Sequence, residues 1–267
     1  MSLLDELRAR MTQMGIVPKK AFGQNFLVNP QVIQKILSEV RRHEFEELIE
    51  IGPGAGALTE PMLALGLRPH LIELDEDLIE YWQRREMTVT AHDALTLDWT
   101  RLHLPAPSLL VSNLPYQIST SIVIERCLGP ESIRWMVLMF QKEVAQRLMS
   151  ETRSKEYGML SVMAQLHFKM KKVADCAPKD FFPAPKVASR VLAFERLPVE
   201  GLGLPFLRFV KAAFAFRRKF LLKNLGGVVD KAKVLRAFEE MGLSDKARAE
   251  ELSPRQFAEL FKKVYEH

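Results

Sequence analysis

Cysteine is almost missing from this chain. Two residues, Cys127 and Cys176, in 267 exclude a disulfide framework and fit a reducing cytoplasm. The six histidines are scattered, with no H-E-x-x-H run and no Cys/His cluster, so no metal site is indicated. No stretch approaches the roughly 18 apolar residues needed to span a bilayer, and no membrane partner is expected. The opening Met1-Ser2-Leu3-Leu4-Asp5-Glu6 carries acids in place of an apolar leader, which argues against a signal peptide. Internal repeats and low-complexity tracts are absent as well. What remains is an ordinary globular composition, 48% hydrophobic and 27% charged, long enough for one large domain plus a small one.

Charge is unevenly spread. The net charge is +5, but residues 196–267 hold 15 basic against 9 acidic residues, a surplus of 6, and the rest of the chain carries −1. A polyanionic partner explains such asymmetry; a solvated Lys-rich helical surface explains it equally well.

Short apolar runs alternate with helical patterns through the first two thirds. Strands are expected at 48–51, 70–74, 88–91, 109–112 and 135–140. Helices are expected at 31–41, through Leu58, Met62 and Leu65, and at 77–85, 119–127 and 142–149. That order predicts an α/β domain with a parallel sheet covered on both faces, and right-handed crossovers put every strand-to-helix turn on one rim. Residues 168–194 read as strand again, interrupted by Pro178, Pro183 and Pro185. A linker with two prolines and two glycines follows at 197–205, and the remainder is helical, at 205–225, 230–241 and 254–264. Two domains are therefore expected, 1–196 and a small all-helical one at 205–267.

The chemistry gathers at strand ends. After Leu109-Leu110-Val111 comes Asn113-Leu114-Pro115-Tyr116, which places an amide, bare carbonyls and an aromatic ring where ligands sit in open α/β sheets. An amide oxygen and a main-chain carbonyl can together accept both hydrogens of a planar exocyclic amine while the ring stacks on the heterocycle. Glu50-Ile51-Gly52-Pro53-Gly54-Ala55-Gly56-Ala57 joins another strand to a helix, where glycines permit a tight turn and close approach to a ligand. Gly52-x-Gly54-x-x-Ala57, with Glu73 at the spacing for ribose hydroxyls, also satisfies the dinucleotide fingerprint, so NAD stays open. Against NAD stand Glu50 before the glycines and Asp93 at the end of the next strand. An acidic rim suits an adenosine bearing a sulfonium, S-adenosylmethionine, better than a pyrophosphate.

Several segments together resemble one family. Glu50 to Thr59, Glu73-Leu74-Asp75, Asp93-Ala94 and Asn113 to Tyr116 are similar to the ordered motifs of the rRNA adenine-N6 dimethyltransferases. So are Lys19-Lys20-Ala21-Phe22-Gly23-Gln24-Asn25-Phe26-Leu27, which matches the donor-closing segment of that family, and Phe181-Phe182-Pro183-Ala184-Pro185-Lys186-Val187, which matches its F-x-P-x-P-K-V element. With Phe216-Arg217-Arg218-Lys219 the likeness spans residues 19–225, and it is strongest to the kasugamycin-resistance type. The resemblance implies a Rossmann-like S-adenosylmethionine-dependent methyltransferase. It would dimethylate two adjacent adenosines near the 3′ end of small-subunit (16S) rRNA in a partly assembled ribosomal particle, acting as a monomer. It implies donor contacts from Gln24, Asn25, Leu27, Gly52, Gly54, Gly56, Glu73, Leu74, Asp93, Ala94 and Asn113, with Glu73 on the ribose and Asp93 on the adenine amino group. Asn113, Leu114 and Pro115 would orient the target amine, and Tyr116 and Phe181 would sandwich the target base once it leaves its stack.

An unbroken helix over 205–225 would place Arg208, Lys211, Arg218, Lys219 and Lys223 within roughly 140° of one face, a ridge for RNA phosphates; Arg217, from the Arg-Arg-Lys run, is expected to contact RNA as well. Departures from the family pattern are Gln117 for Asn, Met159 for a basic residue after Tyr157-Gly158, and Phe220-Leu221-Leu222 after the Arg-Arg-Lys run. Other readings are the macrolide-resistance relative acting on large-subunit (23S) rRNA, a DNA adenine methyltransferase, and a non-catalytic RNA-binding assembly factor.

Overall fold

A computed structural model describes residues 2–19, 23–199 and 201–265. Lys20, Ala21 and Phe22 of the donor-closing motif lie outside the described residues. The chain forms two compact units, Met1–Ala145 with Met170–Arg196, and Gln146–Lys169 with Leu197–His267.

The first unit carries the sheet. Helix α1 (Leu3–Met14) starts at a Ser2–Asp5 capping box and ends on Gly15 in the left-handed region. After β1 (Phe26–Leu27) comes α2 (Pro30–Val40), where Asn29 accepts from the amides of Gln31 and Val32 while Pro30 presets the first turn. Its Val32, Ile33, Ile36, Leu37 and Val40 recur at helical spacing and are buried against the sheet. Then follow β2 (Glu47–Ile51), α3 (Thr59–Ala64), β3 (His70–Glu73), α4 (Glu76–Arg84), β4 (Val89–Ala91), β5 (Ser108–Ser112), α5 (Tyr116–Leu128), β6 (Ile133–Gln141) and α6 (Lys142–Leu148). Within α6 the chain passes to the second unit, where α7 (Met159–His167) lies. It returns through β7 (Phe168–Cys176), β8 (Phe181–Phe182) and β9 (Ser189–Arg196).

The seven-stranded sheet runs β4-β3-β2-β5-β6-β9-β7. Strands β4 through β6 are parallel and β9 is antiparallel to β6. β1 and β8 form a separate antiparallel pair, Phe26 opposite Phe182 and Leu27 opposite Phe181. The parallel strands inside the edge strand β4 are largely buried on both faces, as their apolar runs predict; all five residues of β5 are buried.

The second unit holds α7, α8 (Leu204–Ala213), α9 (Leu221–Leu225), α10 (Lys231–Glu240) and α11 (Pro254–Tyr265). Helix α7 is not among the expected elements, and the expected boundary at 196 differs from this division, in which 146–169 belong to the second unit. The sequence of α7 explains its position. Leu160, Val162, Met163, Ala164 and Leu166 make it apolar on most sides, so it is buried among helices. Nearby, Tyr157 donates to the Leu252 carbonyl at 2.9 Å.

The single helix expected over 205–225 is broken. α8 stops at Ala213 and α9 begins at Leu221. The Asn224 side chain donates to the carbonyls of Ala213 (2.7 Å) and Phe216 (3.1 Å), and the Leu221 amide is held by the Ala247 carbonyl at 2.8 Å. These bonds satisfy groups that a continuous helix would have paired internally. The break removes the common face on which the five cations were aligned.

Candidate active site

The strand order reverses between β2 and β5: β3 and β4 lie outside β2, and β6 lies beyond β5. A crevice opens at such a switch point, outside the carboxyl ends of the strands. Ser112, at the end of β5, donates to the Ile51 carbonyl at the end of β2 at 2.6 Å and locks the two ends together. The glycine loop leaves one end and Asn113-Leu114-Pro115-Tyr116 leaves the other.

Gly54 cannot be replaced quietly. Its φ is +54°, and a Cβ there would stand 2.5 Å from Cε1 of Phe26. The loop is also held from behind: Trp82 Nε1 donates to the Gly54 carbonyl at 3.1 Å, and Arg10 Nε donates to the Ala55 carbonyl at 3.0 Å.

Two cavities adjoin along this crevice and share Gly52, Glu73 and Pro115. The first is lined by Gly23, Gln24, Asn25, Phe26 and Gly54 on one side and by Asn113 to Tyr116 on the other. The second is lined by Ile51, Ile72, Leu74, His92, Asp93 and Ala94, and by Gln117 and Ile118 from the first turn of α5. Leu74 is half exposed, an apolar surface open at the cavity.

In the first cavity the Asn113 side chain has a defined direction. Its Nδ2 donates to the Asn25 carbonyl at 2.7 Å, which leaves Oδ1 as the acceptor. Tyr116 is pinned through a 2.7 Å hydrogen bond between its hydroxyl and that of the buried Ser189 on β9. The segment opposite is tied down in several places. Asn25 Nδ2 donates to the Gly23 carbonyl (2.9 Å), the Lys19 amide donates to Gln24 (2.8 Å), and the Lys19 ammonium bridges Asp75 and Asp77 at 2.7 and 2.8 Å.

Two acids lie deeper. One Glu73 oxygen accepts from the amides of Leu74 (2.7 Å) and Asp75 (3.0 Å), while the other has, among the described residues, a single 3.4 Å contact with the Gly54 amide. Burial raises the Glu73 pKa, opposed by those amides. Glu50 is fully buried, its carboxyl accepting from Thr59 Oγ1 at 2.7 Å, and burial pushes its pKa up to about 8. The Asp93 carboxylate accepts from the Leu95 amide at 2.9 Å, which shapes a turn facing the second cavity.

Of the expected donor residues, Gln24, Asn25, Gly52, Gly54, Glu73, Leu74, Asp93, Ala94 and Asn113 line the two cavities. Gly56 and Leu27 line neither. Gly56 lets the loop pass Trp82, and the Leu27 side chain is in the core. Phe181, expected to sandwich the target base, is 4% exposed and packs in the same core as Leu27, which it faces across the β1–β8 pair. In this arrangement only Tyr116 of the expected aromatic pair lines the cleft. Sequence reasoning missed Gly23, Phe26, Ile51, Ile72, His92, Gln117 and Ile118 as lining residues. The signal for Ile118 was its place in the first turn of α5, directly after Asn113-Leu114-Pro115-Tyr116; nothing in the sequence marked His92.

Of the expected RNA-contacting residues in the second unit, Arg208 and Lys211 are exposed on α8, Arg218 and Lys219 on the turn, and Lys223 on α9. Arg217 is engaged within its own unit: Nε donates to Glu250 at 3.0 Å and Nη2 to the Ser154 carbonyl at 2.9 Å.

Residues 17–266 match the family model of the ribosomal RNA adenine dimethylases. The chain belongs to that family. It is similar to the ribosomal RNA small subunit methyltransferase A of Bdellovibrio bacteriovorus, 50% identical over 97% of this chain and 96% of that protein. The protein of the same name in Syntrophotalea carbinolica is 41% identical over 94% and 98%. A dimethyladenosine transferase from Plasmodium falciparum shares the fold, with a TM-score of 0.75 at 23% identity over 88% of this chain and 95% of that one. The Rossmann-like fold expected from sequence is thus shown, and this ribosomal RNA adenine dimethylase is an S-adenosylmethionine-dependent methyltransferase.

Proposed function

We propose that this ribosomal RNA adenine dimethylase converts two adjacent adenosines near the 3′ end of small-subunit rRNA to N6,N6-dimethyladenosine. It acts as a monomer in the cytoplasm on a partly assembled small-subunit particle. The small-subunit name carried by both curated relatives supports this substrate over large-subunit rRNA. The intact donor cleft argues against a purely binding role.

The observation that carries the chemistry is the direction of the Asn113 amide. With Nδ2 spent on the Asn25 carbonyl, Oδ1 is the acceptor offered to the cleft, and the Leu114 carbonyl is the second. Adenine's exocyclic nitrogen is a poor nucleophile because its lone pair is delocalised into the ring. Two acceptors placed to bind both of its hydrogens favour a pyramidal nitrogen with a more available lone pair. Asn cannot act as a base. The proton leaves afterwards, from the acidic methylated ammonium to water, and catalysis rests on orientation and proximity. Tyr116, its hydroxyl held by Ser189, presents a fixed ring for the unstacked base.

S-adenosylmethionine fits the adjoining cavities. The Glu73 oxygen with only the long Gly54 contact is an acceptor for the ribose hydroxyls, Asp93 is the acceptor for the adenine amino group, and Ile72, Leu74 and Ile118 supply apolar walls. The bound donor supplies an electrophilic methyl on a sulfonium; Gly52, Gly54 and the 23–26 segment line the cavity beside Asn113.

The test supplies methyl-labelled S-adenosylmethionine to undermethylated small subunits, large subunits and naked DNA. Label in dimethyladenosine of small-subunit rRNA is expected. Label confined to large subunits or DNA overturns the substrate.

A further inference from the structure

Arg126, near the end of α5, is 1% exposed, and its Nε and Nη1 have no hydrogen-bond partner among the described residues. Burial lowers its pKa to about 10, still far above neutrality, so the group stays a cation. A buried, incompletely paired charge is costly and calls for a compensating contact. That contact is Trp99: the Arg126 Cζ lies 3.8 Å from the centroid of the ring, which is itself buried. Next to the guanidinium is Gly129, where a Cβ would stand 3.2 Å from Cζ. The Arg126 carbonyl accepts from Arg196 Nη2 at 2.5 Å, and Arg196 Nε donates to the Ile133 carbonyl at 3.1 Å, which ties the end of α5 to the start of β6.

Trp99 has a second attachment. Its Nε1 donates to the Ala94 carbonyl at 3.2 Å. Ala94 follows Asp93, whose carboxylate and carbonyl hold the turn through the amides of Leu95, Thr96 and Leu97. Asp93 and Ala94 form one wall of the second cavity. Gln117 and Ile118, in the first turn of α5, form another. The Arg126–Trp99 stack therefore joins the far end of one wall element to the post that carries the other.

We propose that Arg126 is a positioning residue: by its stack on Trp99 it fixes the Asp93–Ala94 edge relative to α5, and so sets how strictly the cavity selects a 6-aminopurine. The inference rests on the reading of Asp93 as the acceptor for the donor's adenine amino group. Loss of the stack frees the turn, and the carboxylate no longer meets the amine at one distance.

The experiment measures, by calorimetry on the full-length protein, the affinities for S-adenosylhomocysteine and for S-inosylhomocysteine, which carries a 6-oxo group. A hydrogen bond to a charged acceptor gives the native protein a preference for the amino form of at least about tenfold. Arg126→Met is expected to reduce that preference to below about threefold, Arg126→Lys to keep most of it, and Asp93→Ala to abolish it. Trp99→Phe keeps a ring for the cation but removes the indole donor, and it is expected to behave as Arg126→Met; it serves if Arg126→Met fails to fold. If Arg126→Met and Trp99→Phe weaken both ligands equally, the role is only structural and the proposal fails while the adenine reading stands. If Asp93→Ala retains the full preference, the adenine reading itself fails and the proposal with it.

Discussion

Replacing Glu50 with Gln should change the pH dependence of stability in a calculable way. Glu50 is fully buried, and its pKa rises from 4.5 to about 8 through desolvation, against the opposing hydrogen bond from Thr59. Between those values the folded protein keeps the proton and the unfolded chain has lost it. Stability from this group is therefore complete below pH 4.5 and falls as pH rises towards 8, by about 1.4 kcal/mol per unit. From pH 5.5 to 7.5 the native protein should lose about 2–3 kcal/mol that Glu50→Gln does not lose, because the amide cannot ionise and its oxygen can still accept from Thr59. At roughly 2–4 °C per kcal/mol for a unit of this size, the variant's midpoint should gain at least about 5 °C relative to native across that interval. Glu73, raised in the same direction by burial, is present in both proteins, and its coulombic push on Glu50 is part of the shift that the substitution removes. Thermal unfolding of donor-free protein at pH 5.5, 6.5 and 7.5 is the assay. Parallel melting curves for the two proteins would refute a neutral buried Glu50.

Other perturbations act on the site and on RNA. Ser189→Ala removes the bond that holds Tyr116; kcat should fall severalfold with donor affinity unchanged, read by single-turnover methylation beside donor titration. Gly54→Ala forces a methyl towards the Phe26 ring at a φ of +54°, so donor affinity should drop at least about tenfold while RNA binding in filter assays stays within twofold. Arg208→Ala should reduce the slope of log affinity against log salt by about 0.7–0.9, the effect of one lost phosphate contact. Arg217→Ala should leave that slope unchanged and instead lower the melting temperature, because the guanidinium is already spent on Glu250 and Ser154.

How much of this was legible in the chain varies with the physics behind each element. Strands buried on both faces announce themselves as apolar runs, and Leu109-Leu110-Val111 fell where β5 is. Motifs at strand ends were legible because each needs special residues: glycine where the backbone is left-handed beside Phe26, and an amide that, with a neighbouring carbonyl, suits the two hydrogens of the proposed target amine. The break after Ala213 was hidden, since Phe214-Ala215-Phe216-Arg217-Arg218-Lys219 contains no proline or glycine. What stops the helix is tertiary, the Asn224 side chain and the Ala247 carbonyl. Phe181 and Arg217 show the same limit from another side. Their residue types suit base stacking and phosphate binding, but burial in the core and an ion pair to Glu250 are settled by neighbours far away in sequence.

The strand order explains why the two halves of the site must fold together. The glycine loop and Asn113 belong to β2 and β5, 61 residues apart from Ile51 to Ser112, yet a single bond from the Ser112 hydroxyl to the Ile51 carbonyl fixes their ends. The two cavities and the Asn113 amide thus share one edge, and the Asn25 carbonyl holds the amide's Nδ2 across it. A loop insertion that displaced Asn25 would leave Asn113 free to turn its NH₂ towards the amine it should accept from. In the proposed mechanism methyl transfer depends on that one amide orientation, which a donor pocket left otherwise intact cannot restore.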